Sequence, residues 1–208
     1  MQPDPNYFQT IEKNTIAEFT DRGSRFIAYA FPILSIGEFK VVLQKLKKEQ
    51  PKASHHCFAY RIGPDGQTYR VSDAGEPAGS AGRPILGQID SKGLTNVCVI
   101  VVRFFGGTLL GIPGLINAYK SASSMALQLT PVLKKTIEVE YELQFDYTIS
   151  NEVMKVVRRF ECSIKKQEMQ LFCLYEIGVP KINEQDCVRL FEEIYGCSIK
   201  KKSDSGIS

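Results

Sequence analysis

The chain has 208 residues, 43% hydrophobic and 24% charged, with a formal net charge of +3. At a prior of roughly 150 residues per domain this length holds one large domain or two small ones, and the apolar fraction excludes both a disordered tail and a membrane bundle. Residues 1–130 carry +4 and residues 131–208 carry −1, so charge alone leaves a nucleic-acid partner open without selecting it.

The opening MQPDPNYFQT has neither a basic patch nor an apolar core, so no secretory signal is expected. Ser24 to Phe31 reads as a strand. Ser35 and Glu38 form the S-x-x-E box that starts a helix whose apolar face is Phe39, Val42, Leu43 and Leu46, and Pro51 ends it. Ala53 to Ile62 and Gln67 to Ser72 read as a hairpin around Gly63-Pro64-Asp65-Gly66. A Gly-rich loop at 73–82 then leads into a short helix through Leu86 and Ile89. Leu94 to Phe105 is a buried strand. Its apolar core, Val97 to Val102, stops at Arg103 and is far shorter than the ~20 residues a membrane span needs. A second Gly-rich loop at 106–114 precedes an amphipathic helix from Leu115 to Leu129, stopped by Pro131. The order β-α-β-β-α-β-α predicts an α+β sandwich rather than a Rossmann fold.

The second half follows a different grammar. From Ile137 to Ile149 apolar and polar residues alternate without a slip, which predicts a strand with one buried face and Glu138, Glu140 and Glu142 on the other. A helix from Asn151 to Phe160 leads to CSIKK at 162–166. The strand-like run LFCLYEIGV (171–179) and a helix from Asn183 to Tyr195 lead to a second CSIKK, 35 residues after the first. Two β-α-β units predict a split, ferredoxin-like βαββαβ domain with both helices on one face. The expected domains are therefore 1–130 and 131–208. The lysine pairs beside its strands, Lys134-Lys135 and Lys165-Lys166, and the triplet Lys200–Lys202 read as a solvated rim that discourages edge pairing.

Chemistry concentrates in the first half, where eleven of the 16 glycines fall between Gly63 and Gly114. Both Gly-rich loops stand before helices, and free N–H groups at a helix start make a ready anion site. Gly106 and Gly111 have P-loop spacing, but Ile112-Pro113 stands where Lys-Ser/Thr is needed, and no G-x-G-x-x-G occurs, so Walker and Rossmann nucleotide sites are excluded. The bland alternative is that the glycines make turns and caps. The first loop is longer than the ~4–6 residues a connection needs, and it carries Asp73, Glu76, Ser80 and Arg83. Arg83 suits a phosphate or carboxylate, or a salt bridge to Asp73 or Glu76. Arg103 reads equally as a solvated strand tip or as a ligand contact beside Gly106-Gly107. His55 and His56 are neighbours on a strand, so their side chains should point to opposite faces, leaving at most one in a cleft. No third group marks a catalytic triad, and catalytic residues are unassigned.

Cys57, Cys98, Cys162, Cys173, Cys187 and Cys197 show no C-x₂-C or C-x₄-C spacing, so no structural zinc or other metal site is expected. Most lie in apolar runs, which predicts buried, reduced thiols and suits a cytoplasmic chain.

The strings SRFIAYAFP (24–32), ASHHCFAY (53–60), SDAGEPAGSAGRPIL (72–86), LTNVCVIVVRFFGG (94–107) and LLGIPGLINAY (109–119) resemble the IMPACT/YigZ family. The resemblance implies a first domain similar to domain 2 of ribosomal protein S5 and a second similar to domain V of elongation factor G. It further implies a place in translation, since eukaryotic relatives act in translational control by binding a regulator of an initiation-factor kinase. Its polar motif positions fall on His55, His56, Asp73, Glu76, Arg83 and Arg103, together with the loop glycines Gly106, Gly107, Gly111 and Gly114. Two positions depart from the pattern. Ala74 stands where an acidic residue is common, which weighs against a paired-carboxylate metal site. Pro113 replaces a usual glycine and removes one N–H from the second loop. The expectation is a non-enzymatic translation-associated protein that binds RNA, the ribosome or a translation-control protein through a charged cleft, without a cofactor. The alternatives are a hydrolase or transferase acting on a small anionic substrate in the same cleft, and an interaction module whose loops are only structural.

Overall fold

The computed structural model describes residues 4–202. Two compact units divide the chain, one formed by Phe8–Lys135 and the other by residues from Thr136 onward together with Asp4–Tyr7.

In the first unit β1 (Tyr7–Ile11) pairs with β7 (Val132–Thr136), apart from the main sheet. The main sheet contains β2 (Thr15–Asp21), β3 (Ser24–Pro32), β4 (His55–Ile62), β5 (Thr68–Ser72) and β6 (Val97–Phe104). Its order is β2-β3-β6-β4-β5, with every neighbouring pair antiparallel. Helix α1 (Ile36–Glu49) covers one face; α2 (Gly82–Ser91) and α3 (Gly111–Gln128) cover the other. The apolar run of β6 follows from this layering. Val97, Val99 and Val101 pack with Ile85, Ile89 and Tyr119, whereas Cys98, Ile100 and Val102 pack with Phe39 and Leu46. A strand buried on both faces has no wet phase, so its sequence does not alternate.

Local signals explain several boundaries. The Ser35 Oγ accepts the Glu38 N–H at 3.1 Å and the Glu38 carboxylate accepts the Leu34 N–H at 2.8 Å, a reciprocal cap that starts α1. Helix α3 begins at Gly111, not at Leu115, so Gly111 and Gly114 lie in its first turn rather than in a loop. Pro113 is tolerated there because first-turn N–H groups have no partner within the helix. Strands β1, β2 and β7 were not foreseen: β2 is an edge strand with Ile16 60% exposed, so its apolar side chains do not mark one face. β2 and β3 join through Arg22-Gly23, both at positive φ, the two-residue turn that matches strand twist.

The second unit runs β8 (Glu138–Phe145), α4 (Ser150–Arg159), β9 (Ser163–Met169), β10 (Cys173–Pro180), α5 (Glu184–Glu192) and β11 (Cys197–Lys201). Its sheet order is β11-β8-β10-β9, so the two CSIKK repeats lead into or form its two edge strands. Tyr141, Leu143 and Phe145 turn inward onto Val153, Val157 and Phe191, and Glu140 lies exposed on the other face. The strand ends four residues before Ile149. Asp146 Oδ1 accepts the Thr148 N–H at 2.9 Å and its hydroxyl at 2.7 Å, turning the chain into a 3₁₀ segment in spite of continued alternation. The rim lysines are tied down: Lys165 meets Glu138 at 2.6 Å, Lys201 meets Glu184 at 2.8 Å and Lys202 meets Glu176 at 2.7 Å. Among the described residues no helix is long and apolar enough to cross a membrane.

Candidate functional site

The register of the main sheet decides which polar residues meet. Phe26, Arg103 and His55 stand opposite one another on β3, β6 and β4, and Phe26 belongs to the core under α2 and α3. One residue away, Ile27, Val102 and His56 form the next row, and Val102 belongs to the core under α1. His55 and His56 therefore face opposite layers, as adjacent strand residues must. Burial, reinforced by the Lys47 charge, holds the His56 imidazole below its ordinary pKa. The half-buried His56 on the α1 face does not share a site with His55.

Arg103 is no solvated strand tip. Its side chain is 6% exposed and its Nη1 donates to Glu76 Oε1 at 2.6 Å, with the Glu76 side chain 3% exposed. Tyr119 on α3 donates its hydroxyl to the same oxygen at 2.8 Å, and His55 Nε2 lies 3.9 Å from it. Arg103 Nη2 reaches Ser24 Oγ at 3.4 Å, and Ser24 Oγ accepts the Gly106 N–H at 3.1 Å. Both Gly-rich loops are thus fastened at one guanidinium, the first through Glu76 and the second through Ser24. The rings of Phe26 and Phe105 lie 5.3 and 5.5 Å from the guanidinium carbon, so π faces replace water around a buried charge whose Nε–H has no hydrogen-bond partner among the described residues.

Asp73 closes the first loop. Its carboxylate accepts the N–H groups of Gly79 at 2.9 Å, Ala81 at 3.0 Å and Gly82 at 2.8 Å. Ala81 at the cap position of α2 has no side chain that can accept, so a carboxylate eight residues upstream does the capping. Burial pushes the Asp73 carboxyl up, but these three N–H groups and the Arg83 charge outweigh it and hold it below the usual carboxylate range. The anion place expected at the start of α2 is filled from within. Ser80 is buried and donates to Pro77 O at 2.6 Å, a turn contact. Arg83 is exposed.

A scan against protein-family models matches the Impact N-terminal domain over residues 22–127. The IMPACT family member YigZ of Escherichia coli is 34% identical over 159 residues, 76% of this chain and 78% of that protein. The chain belongs to the IMPACT family. YvyE of Bacillus subtilis, another IMPACT family member, is 32% identical over 77% of this chain and 74% of its own length. A crystal structure of a hypothetical protein superposes with a TM-score of 0.74 at 28% identity, covering 96% of this chain and 99% of that one. Every polar residue joined at Arg103 lies inside the matched IMPACT domain.

Three members of this IMPACT-domain network escape a reading of the sequence. Tyr119 sits on the apolar stripe of α3 beside Leu115, Ala118 and Ala122, and its one signal is that a buried tyrosine hydroxyl needs a partner. Ser24 is an ordinary strand-start serine until the Arg22-Gly23 turn brings it under Gly106. The Cys57 sulfur lies 2.9 Å from Asp73 O, to which its thiol can donate, and 3.3 Å from Tyr119 Oη. Burial pushes that thiol up to about 12, so it remains protonated and is no nucleophile at neutral pH. Among the described residues no group of three or more His, Cys, Asp or Glu side chains is placed to hold a metal ion.

Proposed function

We propose that this IMPACT-family chain is a non-enzymatic, translation-associated regulator of the cytoplasm that docks on the ribosome or a translation-control protein through its two Gly-rich loops. The observation that carries the reading is internal neutralisation. Arg103 is committed to Glu76, and the start of α2 is committed to Asp73, so the two groups best suited to grip a small anion are already occupied. The surface left to a partner is exposed Arg83 on the first loop side and, on the second, Phe105 at 49%, Leu109 at 81% and Ile112 at 53% exposure. Exposed apolar side chains on an anchored backbone suit a protein surface better than phosphate. The likeness to ribosomal protein S5 domain 2 and elongation factor G domain V that the family resemblance implies would point toward the same machinery, as does the translational control it implies for eukaryotic relatives.

The test is cosedimentation of the full chain with ribosomes and gel shifts with RNA over a salt series. Leu109→Ser with Ile112→Ser is expected to weaken ribosome binding by more than about tenfold, and Arg83→Ala by about fivefold, roughly 1 kcal/mol. A contact with protein persists between about 50 and 200 mM salt, whereas a phosphate-dominated one falls by orders of magnitude. Absence of binding at low salt, or indifference to all three substitutions, overturns the proposal. His55 Nε2 beside the Glu76 carboxylate, with the His55 side chain 24% exposed, favours the enzyme alternative. A thermal shift with one nucleotide or sugar phosphate that Glu76→Gln abolishes would select it.

A further inference from the structure

Away from the Gly-rich loops, the second unit buries two cysteines against each other. Cys162 closes the turn after α4, its N–H donating to Val157 O at 2.9 Å, and Cys187 lies within α5. Their sulfurs are 3.5 Å apart and 25 residues of chain separate them. Cys162 keeps 9% of its surface exposed and Cys187 none. We propose that Cys162 and Cys187 form a redox-responsive dithiol, in which Cys162 takes up an incoming disulfide and Cys187 resolves it to an intramolecular bridge.

The geometry is close to what the bond needs. A disulfide spans about 2.05 Å, so the sulfurs have about 1.5 Å to close, within the reach of a change in side-chain torsion on either residue. The chemistry separates this pair from Cys57, Cys98 and Cys197. Burial pushes Cys98 up to about 12 and Cys197 up to about 11, and Cys57 is likewise raised, so these thiols stay protonated. Cys162 is held low by its hydrogen bond with Cys187, against the opposing effects of burial and the Glu138 carboxylate. Cys187 is raised by the same contact. The contact between the sulfurs favours ionisation of Cys162, the sulfur nearer solvent, over that of Cys187.

The oxidant is a low-molecular-weight disulfide. The Cys162 thiolate attacks one of its sulfurs, forming a mixed disulfide and expelling one thiolate. Cys187, losing its proton to the expelled thiolate or to water, attacks the Cys162 sulfur and expels the second. The net change is protein dithiol plus external disulfide giving protein disulfide plus two thiols. The bridge ties the entrance of β9 to α5, one element from each half of the repeat. It also closes a long loop in the unfolded chain, so the oxidised unit melts higher.

The experiment uses the native 208-residue chain with oxidised glutathione, alkylation, and intact-mass and peptide analysis. The proposal expects two of the six thiols to disappear, a peptide joining residues 162 and 187, full reversal by a reducing agent and a raised melting temperature. Cys187→Ser is expected to hold a lasting glutathione adduct on Cys162, and Cys162→Ser to form neither adduct nor bridge. Retention of all six alkylatable thiols, a bridge between other cysteines, or a persistent adduct on the unsubstituted chain overturns it. The wild-type peptide map decides the question even where a variant folds poorly.

Discussion

Glu76 Oε1 receives an arginine and a tyrosine in a place almost closed to water, and the two partners are not equivalent. Arg103→Ala leaves the carboxylate with the Tyr119 hydroxyl alone, an uncompensated buried charge, and should cost about 3–5 kcal/mol in a urea titration. Arg103→Met combined with Glu76→Leu removes both charges and should lose less than Arg103→Ala alone, which distinguishes a stranded charge from lost packing. Asp73 makes a prediction in pH. Its folded-state pKa lies below the ordinary value near 3.8, so its stabilisation is complete above that value and disappears as pH falls through the lower folded-state one. Asp73→Asn, unable to offer charged oxygens to three N–H groups, should cost about 1.5–3 kcal/mol at pH 7. Below about pH 4 the gap to the unsubstituted chain should narrow, read from melting temperatures at pH 7 and pH 3.

Among the elements, turns and loops decide where these residues stand. A Cβ on Gly106 would sit 1.9 Å from the Gly23 carbonyl carbon, so the second loop crosses the β2–β3 turn at a distance only glycine permits. Gly106→Ala must push Gly23 and Ser24 away from the second loop and is expected to cost about 3 kcal/mol by chemical denaturation. Gly107→Ala meets nothing within 4 Å and carries only the strain of a φ of +87°, about 1–2 kcal/mol, so it serves as the control. Elements written as local patterns were legible in the sequence: the Ser35–Glu38 cap, the β4–β5 hairpin, the apolar β6 and the repeated CSIKK. Ends set by a single side chain were not. The alternation past Phe145 continues undisturbed, yet Asp146 turns the chain, because its hydrogen bond from the Thr148 N–H, two residues on, overrides a hydrophobic phase. Helix α3 likewise starts before Leu115, since glycine and proline mark a loop in general and a first helical turn only in particular surroundings.

Over the whole molecule, local pattern and family motif sufficed for the mixed α+β class, the β-α-β-β-α-β order of the second half and the membership of the IMPACT family. They also named Glu76, Arg103, His55 and Asp73 as residues that matter, because charge amid glycine is conspicuous in a sequence. What those residues do was decided by tertiary structure. Sheet register set Arg103 beside Phe26 and His55, and α3 laid Tyr119 across the same carboxylate. The fold turned an expected ligand grip into an internal ion pair and an expected anion cradle into a helix start capped by Asp73. Spacing along a chain records which faces are apolar and which turns are tight. Partners drawn from separate strands and helices, such as Ser24 and Arg103, 79 residues apart, leave no periodic trace, because their meeting depends on how the layers stack.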